Sequence, residues 1–423
     1  MNVDSMMVAR KLTGLVAVLL LGFLGGCAQK VQAPAKTYMF WPPTPDDPHI
    51  QFLMAISSSA DVTGRQGKLD EMIYGKETNS DLPFNRPYGV RMVDGKIYVC
   101  DASASLLAIL DFRTKQVRII GQEGDGRLSK PIDVAVAPDG LRYVADTGLG
   151  SIVVFDDKDQ YAGKISLPGM RPVSLAISQN ELYVADMAAS RVRVFDRMSG
   201  KELRTIGEPG AGPGHMGGAM GVALDRQGNV YVNDVLGCRV QKFTRDGKFI
   251  SSLGGVGDLP GLFVRPKHMA IDASGILYVV DNAFQNVQMF NEKSEMLMFF
   301  GAPGTHPGAM DMPTGICVDD ADLELFASYV HPAFQAQRLV IVTNNFGPAK
   351  IMIYALGELK PGKTVADISS GRIKTIVGFR GNDAPAFKDN APVPTTEPTT
   401  QPATQMGPTT LPQGLPTTGG GSY

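Results

Sequence analysis

Cysteine and histidine are scarce in this chain of 423 residues, which contains four of the first and five of the second. Four scattered cysteines are too few for a disulfide framework, and no Cys-x-x-Cys-His segment occurs, so covalent attachment of a c-type haem is not expected. Five scattered histidines also argue against a dedicated multi-histidine metal cage. We therefore expect no cofactor, with a bound divalent metal as the alternative.

An excess of charge of either sign is also missing. The chain has 40 basic and 42 acidic side chains, which gives a formal net charge of −2. This balance excludes a strongly basic nucleic-acid binder. What is present is a hydrophobic content of 43% together with 48 glycines and 29 prolines, which indicates a turn-rich chain with a sizeable core.

The N-terminus has the features of a targeting segment. Arg10 and Lys11 precede an apolar run at residues 12–24, which is too short to span a bilayer comfortably. Together they predict a signal peptide at residues 1–26. The segment Leu24-Gly25-Gly26-Cys27 is similar to a bacterial lipobox, in which the cysteine thiol takes the lipid, although Ala or Ser is commoner than Gly25. The alternative is an ordinary signal peptide with a chance cysteine.

The lipobox resemblance implies a mature chain that begins at lipidated Cys27 and continues as a proline-rich linker over residues 27–48. We then expect the protein in the bacterial cell envelope, attached to the membrane through its lipid. Ala28 is not the aspartate that favours inner-membrane retention in lipoproteins. The outer membrane is therefore expected where two membranes are present.

One sequence pattern recurs six times in the central part of the chain. A basic residue and proline often come first, followed by an apolar alternation, a turn and then Tyr-Val-x-Asp. The aspartates of that motif recur every 40–48 residues, at Asp101, Asp146, Asp186, Asp234 and Asp281. Four short strands per repeat predict an all-β, six-bladed β-propeller over residues 49–381.

The last repeat and the ends of the chain depart from this pattern. The sixth repeat has an insertion around residues 322–337, which predicts a short helix, and its second strand is expected at residues 339–342. Residues 49–56 are expected to supply the strand missing from the last blade, which would hide a sheet edge. Residues 382–423 are rich in proline and threonine and predict a disordered tail, either a spacer or a solvated end.

The repeats resemble NHL repeats over about residues 84–360. More narrowly, residues 42–53 and the segments 331–335 and 342–347 are similar to a set of bacterial NHL-repeat lipoproteins. That set has no firmly assigned activity, and the association of some members with multihaem cytochromes implies an envelope protein or cytochrome complex as partner.

Basic residues precede the proline of four repeats, and the loops that carry them meet around the channel of a propeller. We expect a broken ring with Lys267 nearby, able to bind an anionic molecule or an acidic surface of a partner. The alternative is a set of solvated or locally paired rim residues. The ring consists of Arg86, Lys130, Arg171 and Arg265.

Polar residues also interrupt a glycine position two residues after the proline position. Gly89, Gly221 and Gly315 occupy it in three repeats, whereas Asp133, Ser174 and His268 occupy it in the others. These three residue types make a catalytic site conceivable at the channel mouth, but a triad requires hydrogen-bond contact. Because they belong to different blades, they need not touch.

Histidines of three consecutive repeats form a second candidate constellation. His215, His268 and His306 are expected near one face of the propeller, and three such histidines resemble the metal site of peptide-amidating lyases, which also use NHL propellers. No matching motif accompanies them, so surface histidines are the alternative.

Two other residue sets have structural interpretations. The repeated aspartates are expected to cap the following turns rather than bind metal. Cys100 and Cys317 are expected to be small core residues, with a disulfide between the first and sixth blades as an open alternative.

These observations favour a membrane-anchored extracytoplasmic propeller that works as a binding or scaffolding module. The basic ring and the insertion at residues 322–337 are the expected contact elements. The alternative is a propeller enzyme, a lyase or lactone hydrolase, with its site at the channel mouth. Nucleic-acid binding, known for eukaryotic NHL domains, is disfavoured by the export signal and the net charge.

Overall fold

Six antiparallel sheets in the computed structural model are arranged as the blades of a β-propeller. The structure describes residues 38–64 and 82–369. Five sheets have four strands and the last has five. This architecture confirms the predicted all-β, six-bladed propeller.

The strands follow one another from the channel outwards in each of the first five blades. Blade 1 consists of Pro87–Val93, Lys96–Asp101, Leu106–Asp111 and Gln116–Ile120. Blade 2 consists of Pro131–Val136, Arg142–Asp146, Ser151–Phe155 and Tyr161–Ser166. Blade 3 consists of Pro172–Ser178, Glu181–Asp186, Arg191–Asp196 and Glu202–Ile206. Blade 4 consists of Ala219–Leu224, Val230–Asp234, Arg239–Phe243 and Phe249–Gly254. Blade 5 consists of Pro266–Ile271, Leu277–Asp281, Asn286–Phe290 and Met296–Phe300.

Blade 6 joins the two ends of the described chain. Its strands, from the channel outwards, are Pro313–Asp319, Phe334–Asn344, Ile351–Leu359, Ile50–Ile56 and Met39–Trp41. Ile50–Ile56 pairs antiparallel with Ile351–Leu359, which confirms the predicted ring closure. Met39–Trp41 adds a fifth strand, so the end of the expected linker belongs to the sheet.

The second strand of blade 6 is longer than predicted. It begins at Phe334 rather than at Leu339, and Phe334 pairs with Leu359. The earlier start was missed because exposed polar residues follow Phe334. Within the insertion, Leu323–Tyr329 forms a 3₁₀ helix, which confirms the predicted short helix. The other described helices are Ala60–Thr63 and Val365–Ser369.

The core lies between neighbouring blades, because each sheet buries both of its faces. Val144 and Val153 of blade 2 pack with Leu107 and Ile109 of blade 1. The valines of the Tyr-Val-x-Asp motif are fully buried, whereas the fourth strands of blades 1 to 4 consist mostly of exposed and half-buried residues. β-Branched residues suit the pleated interior strands, which explains the repeated motif.

Glycines end the fourth strands of blades 3, 4 and 5, where the chain turns back towards the channel. Gly207, Gly254 and Gly301 have φ angles of +77°, +88° and +84°. A Cβ at Gly254 would lie 2.5 Å from the ring of Phe263, the residue that anchors the following loop. Only glycine combines this backbone conformation with such close contact.

Candidate functional site

One face of the propeller carries the start of every innermost strand. We call it the proline face, because four of its innermost strands begin at the proline that follows a basic residue. These prolines are Pro87, Pro131, Pro172 and Pro266. The loops between second and third strands reach the same face, since adjacent strands run antiparallel.

Four exposed cations lie at equivalent places on this face. We call Arg86, Lys130, Arg171 and Arg265 the collar; each directly precedes the first residue of an innermost strand, and each is exposed. The equivalent residues are Gly218 in blade 4 and Met312 in blade 6. The collar therefore has two gaps, as expected of a broken ring.

The repeated aspartates fix the backbone of the collar. The Asp146 carboxylate accepts hydrogen bonds from the amides of Ser129 at 2.7 Å and Lys130 at 2.9 Å. It also accepts hydrogen bonds from the amides of Gly148 and Leu149, each at 2.9 Å. Equivalent bonds surround the other four, which are Asp101, Asp186, Asp234 and Asp281. This geometry confirms the capping interpretation and holds two loops together in each of the first five blades.

The collar side chains have no ion-pair partner among residues 38–64 and 82–369. Arg86 lies over the ring of Phe346, with 5.1 Å from its guanidinium carbon to the ring centroid. The exposed acids of this face lie further out, in loops near the ends of fourth strands; they include Glu123, Asp125, Glu208 and Asp258. The collar cations are therefore exposed and unpaired within the described chain, above the buried carboxylates that hold their backbone.

Two further cations lie near the collar. Lys267 is half-buried, and burial, reinforced by Arg265, lowers its pKa. Lys350 donates hydrogen bonds from Nζ to the carbonyl oxygens of Asn85 at 2.9 Å and Asn345 at 3.3 Å. Lys350 belongs to blade 6 and was not predicted, because the repeat pattern has no lysine at its position.

Asp133 and Ser174 connect neighbouring innermost strands. Asp133 Oδ1 accepts from the amide of Val134 at 2.9 Å, and Oδ2 accepts from Leu175 of blade 3 at 2.8 Å. Ser174 Oγ accepts from the amide of Val222 in blade 4 at 3.3 Å. Both buried side chains therefore satisfy backbone donors across a blade boundary, which gives them a structural role.

His268 lies at the channel mouth and is 4% exposed. Its Nε2 is buried, with no hydrogen-bond partner among the described residues. Burial lowers the pKa of His268, an effect opposed by the Asp133 carboxylate, so the imidazole is neutral near pH 7. No hydrogen bond joins His268 to Ser174 or Asp133, so these described residues do not form a Ser-His-Asp triad.

Tyr88 is a channel-mouth residue that the sequence pattern did not single out. Its ring lies edge-on to His268, with 6.2 Å between centroids. Burial raises the pKa of Tyr88, and a hydrogen bond with Asn345 opposes this shift. The sequence did contain one indication of Tyr88: it departs from the repeat, because the next two repeats have the aliphatic residues Ile132 and Val173 at the equivalent position.

The other candidate metal ligands are not gathered with His268. His215 is exposed, with Nδ1 3.1 Å from the Pro213 carbonyl oxygen. His306 Nδ1 lies 3.1 Å from the carbonyl oxygen of Pro307. Within the part of the chain that the structure describes, no group of three metal-ligating side chains occurs.

The cysteines of the described region are buried free thiols. Cys100 and Cys317 are not bonded to each other, and Cys238 is also free. Burial raises the pKa of Cys317 to about 12, and burial likewise raises the pKa of Cys100. The alternative of a disulfide between the first and sixth blades is therefore not realised.

The insertion packs on the opposite face of the propeller. It follows the far end of the innermost strand of blade 6, and Asp322 Oδ2 accepts from the amide of Gly95, in the turn after the innermost strand of blade 1, at 2.7 Å. Phe326 contacts Phe112 with 4.9 Å between ring centroids. The collar and the insertion are therefore not parts of one surface.

Several predictions from the N- and C-termini lie outside the described residues. These are the signal peptide at residues 1–26, lipidation of Cys27, most of the linker at residues 27–48 and the tail at residues 382–423. Among the described helices, none has the length and apolar character needed to cross a bilayer.

The chain is similar to known proteins in structure but not in sequence. No family model and no curated protein sequence matches the chain. A Bacteroides thetaiotaomicron protein of unknown function is similar in structure, with a TM-score of 0.51, 15% identity, and coverage of 73% of this chain and 76% of that one. Staphylococcus aureus virginiamycin B lyase gives a TM-score of 0.47 at 13% identity, covering 64% and 95% of the two chains. Kuenenia stuttgartiensis hydrazine synthase gives 0.44 at 16% identity, covering 66% and 98%.

Proposed function

We propose that this protein is a lipid-anchored propeller of the bacterial cell envelope that binds an acidic surface of a partner protein through its proline face. The main observation that supports this proposal is the collar. Its four cations have no ion-pair partner within the described region, and buried carboxylates such as Asp146 fix the backbone beneath them. A preorganised set of like charges favours an oppositely charged partner and speeds its association.

The N-terminal sequence supports attachment to a membrane. The lipobox-like segment at residues 24–27 would place the lipid on Cys27, and the proline-rich segment that follows would act as a short spacer. The first described strand begins at Met39, which leaves few residues between lipid and propeller. One acyl-modified cysteine would therefore hold the propeller near the membrane, with the outer membrane expected where two are present.

The partner we favour is an envelope protein or a multihaem cytochrome complex. The support is the resemblance to NHL-repeat lipoproteins over the repeats and over residues 42–53, together with the positive collar. In such a complex the propeller would position the electron carrier without carrying electrons itself. Nucleic acid is not expected as a partner, because the chain as a whole has a net charge of −2.

The test is affinity purification of the full lipoprotein after mild cross-linking and detergent extraction from its native cells. In the collar variant, glutamine replaces Arg86, Lys130, Arg171 and Arg265. The matched control replaces exposed cations of the opposite face, Lys158, Lys201, Arg226 and Lys293. We expect the partner to be lost with the collar variant and kept with the control. Equal recovery with both variants would contradict the proposal.

A second candidate function is catalysis at the channel mouth by a lyase or lactone hydrolase. The observation that favours it is His268, which is buried and neutral and has an unpartnered Nε2 among the described residues. This candidate predicts that His268→Ala abolishes turnover, and a metal-dependent form predicts a bound divalent ion that is lost in the same variant. Metal analysis of the purified protein tests the second point.

A further inference from the structure

The loop between blades 4 and 5 has two structurally equivalent loops within the same molecule. Gly254 to Phe263 corresponds to Gly207 to Met216 and to Gly301 to Met310, each running from a positive-φ glycine to a buried apolar anchor. In the loop between blades 4 and 5, the Gln288 side chain accepts a hydrogen bond from the amide of Gly261 and donates one to the carbonyl oxygen of Leu262, both at 2.8 Å. Gln241 and Tyr354 hold the two other loops.

Of these three described loops, the one between blades 4 and 5 alone has exposed large apolar side chains at two of the shared positions. Val256 is 76% exposed and Leu259 is 65% exposed. The residues that correspond to Val256 are Pro209 and Pro303, and those that correspond to Leu259 are Gly212 and His306. The fold therefore does not require an aliphatic side chain at either place.

Two neighbouring residues extend this apolar surface. Leu236, in the second-to-third-strand loop of blade 4, is 71% exposed, and Val264 is 45% exposed. The two loops adjoin, because Cys238 Sγ lies 3.4 Å from the carbonyl oxygen of Val264. We call Leu236, Val256, Leu259 and Val264 the apolar patch. Val264 directly precedes Arg265 of the collar, and Leu236 lies beside Gly218, where a Cβ would be 3.6 Å from the Leu236 Cγ.

We propose that the apolar patch is the anchoring site for the partner, which contributes an apolar segment flanked by acidic side chains. This inference rests on the proposed function and adds the place where most binding energy is concentrated. A few well-packed, fully desolvated contacts carry most of the binding energy of an interface, whereas surrounding charges mainly control association rate and specificity. The acidic flank would face Arg265 and Arg171.

The mixture of positive and negative charge around the apolar patch, from Arg265 and Asp258, favours a protein over a uniformly anionic lipid surface as the occupant. Asp258 is exposed between Val256 and Leu259, and its carboxylate would be repelled by anionic headgroups. The patch also lacks the tryptophan and tyrosine that mark membrane-interface contacts. A partner protein can instead place a cation opposite Asp258.

Site-specific photo-cross-linking in native cells tests this inference. Benzoylphenylalanine replaces Val256 or Leu259, and Met198, which is 65% exposed on the opposite face, serves as the matched control position. We expect both patch positions to capture one protein, with the attachment mapped by mass spectrometry to an apolar segment flanked by Asp or Glu, and position 198 not to capture it. Capture of lipid alone, of a second copy of this chain, or of nothing at the patch would overturn the inference.

The same experiment separates failure of the inference from failure of the proposed function. A cross-linker at Lys130 reports binding at the collar independently of the patch. Capture at position 130 without capture at positions 256 and 259 would leave the proposed function intact and overturn the inference. With the purified partner, Val256→Thr combined with Leu259→Gln should weaken binding by about tenfold or more while the salt dependence stays that of the wild type. Unchanged affinity would contradict the inference.

Discussion

Asp322 of the last blade forms an ion pair with Arg113 of the first blade, at the place where the propeller closes. The side chain of Asp322 is 2% exposed, and its other oxygen accepts from the amide of Gly95. The insertion predicted as a contact element is thus a component of ring closure. Phe326 and Phe334 support this role, because both are buried in the cluster between blades 6 and 1.

Asp322→Ala should lower the free energy of unfolding by about 1–3 kcal/mol, because it leaves the buried amide of Gly95 without an acceptor. Glu324→Ala is the matched control, since Glu324 contacts the same Arg113 from an exposed position. The control should change stability by less than about 0.5 kcal/mol. Urea denaturation of the two variants measures both effects, and equal losses would contradict the assigned role.

Asp146→Ala should destabilise the propeller and also loosen the collar at Lys130. The substitution removes the acceptor of four backbone amides, so we expect a loss of about 2 kcal/mol or more. Asp157→Ala is the control, because Asp157 is an exposed residue of the same blade. Hydrogen exchange should show faster exchange at residues 129–130 and 148–149 in the first variant only. Unchanged exchange there would show that the carboxylate does not hold these loops.

Acid stability should depend on Glu181. Arg204 binds Glu181 and lowers its pKa from 4.5 to about 2. A carboxyl whose pKa is depressed by folding contributes stability above pH 4.5, and this stability is lost as the pH falls towards 2. Glu181→Gln should therefore be less stable than the wild type at neutral pH and lose less on acidification. Urea midpoints measured from neutral pH down to pH 2 give this pH dependence of stability. Glu123→Gln, in an exposed loop, is the control for the change in charge. Parallel profiles for wild type and Glu181→Gln would refute this dependence.

The cysteines of the folded protein should resist alkylation. Cys100, Cys238 and Cys317 are buried free thiols, and burial holds the pKa of Cys317 at about 12, so little reactive thiolate exists at pH 8. Intact mass after iodoacetamide treatment should show no label on these three residues in the native protein and three labels after unfolding. A cross-linked peptide containing Cys100 and Cys317 would be the contrary result.

The repeats made the blade number and the ring closure predictable from sequence. Each copy of Tyr-Val-x-Asp marks a second strand, and the sixth repeat lacked a strand that residues 49–56 could supply. The roles of Asp133 and Ser174 were not predictable in this way, because they depend on which backbone amide of the next blade lies opposite. Their chemistry as isolated residues made catalysis conceivable, whereas their neighbours Leu175 and Val222 make them acceptors within the fold.

Exposure also could not be predicted from the repeat pattern. Val256 and Leu259 follow the same glycine-bounded spacing as two other loops, and an aliphatic residue in a repeat protein is usually expected in the core. Their outward position becomes clear only from the contacts of Gln288 and Phe263 that fix the loop. The placement of the collar and the insertion on opposite faces of the propeller likewise depends on strand direction, which amino-acid composition does not reveal.

The most direct test of the central claim is the affinity of the purified partner at several salt concentrations for the wild type, the collar variant and the opposite-face control. The account predicts that the collar variant binds the partner at least about tenfold more weakly than the wild type at low salt. Its affinity should also change less with salt concentration, because it lacks the four charges whose attraction salt screens in the wild type. The control should match the wild type. Equal affinity and equal salt dependence of all three proteins would contradict recognition through the proline face.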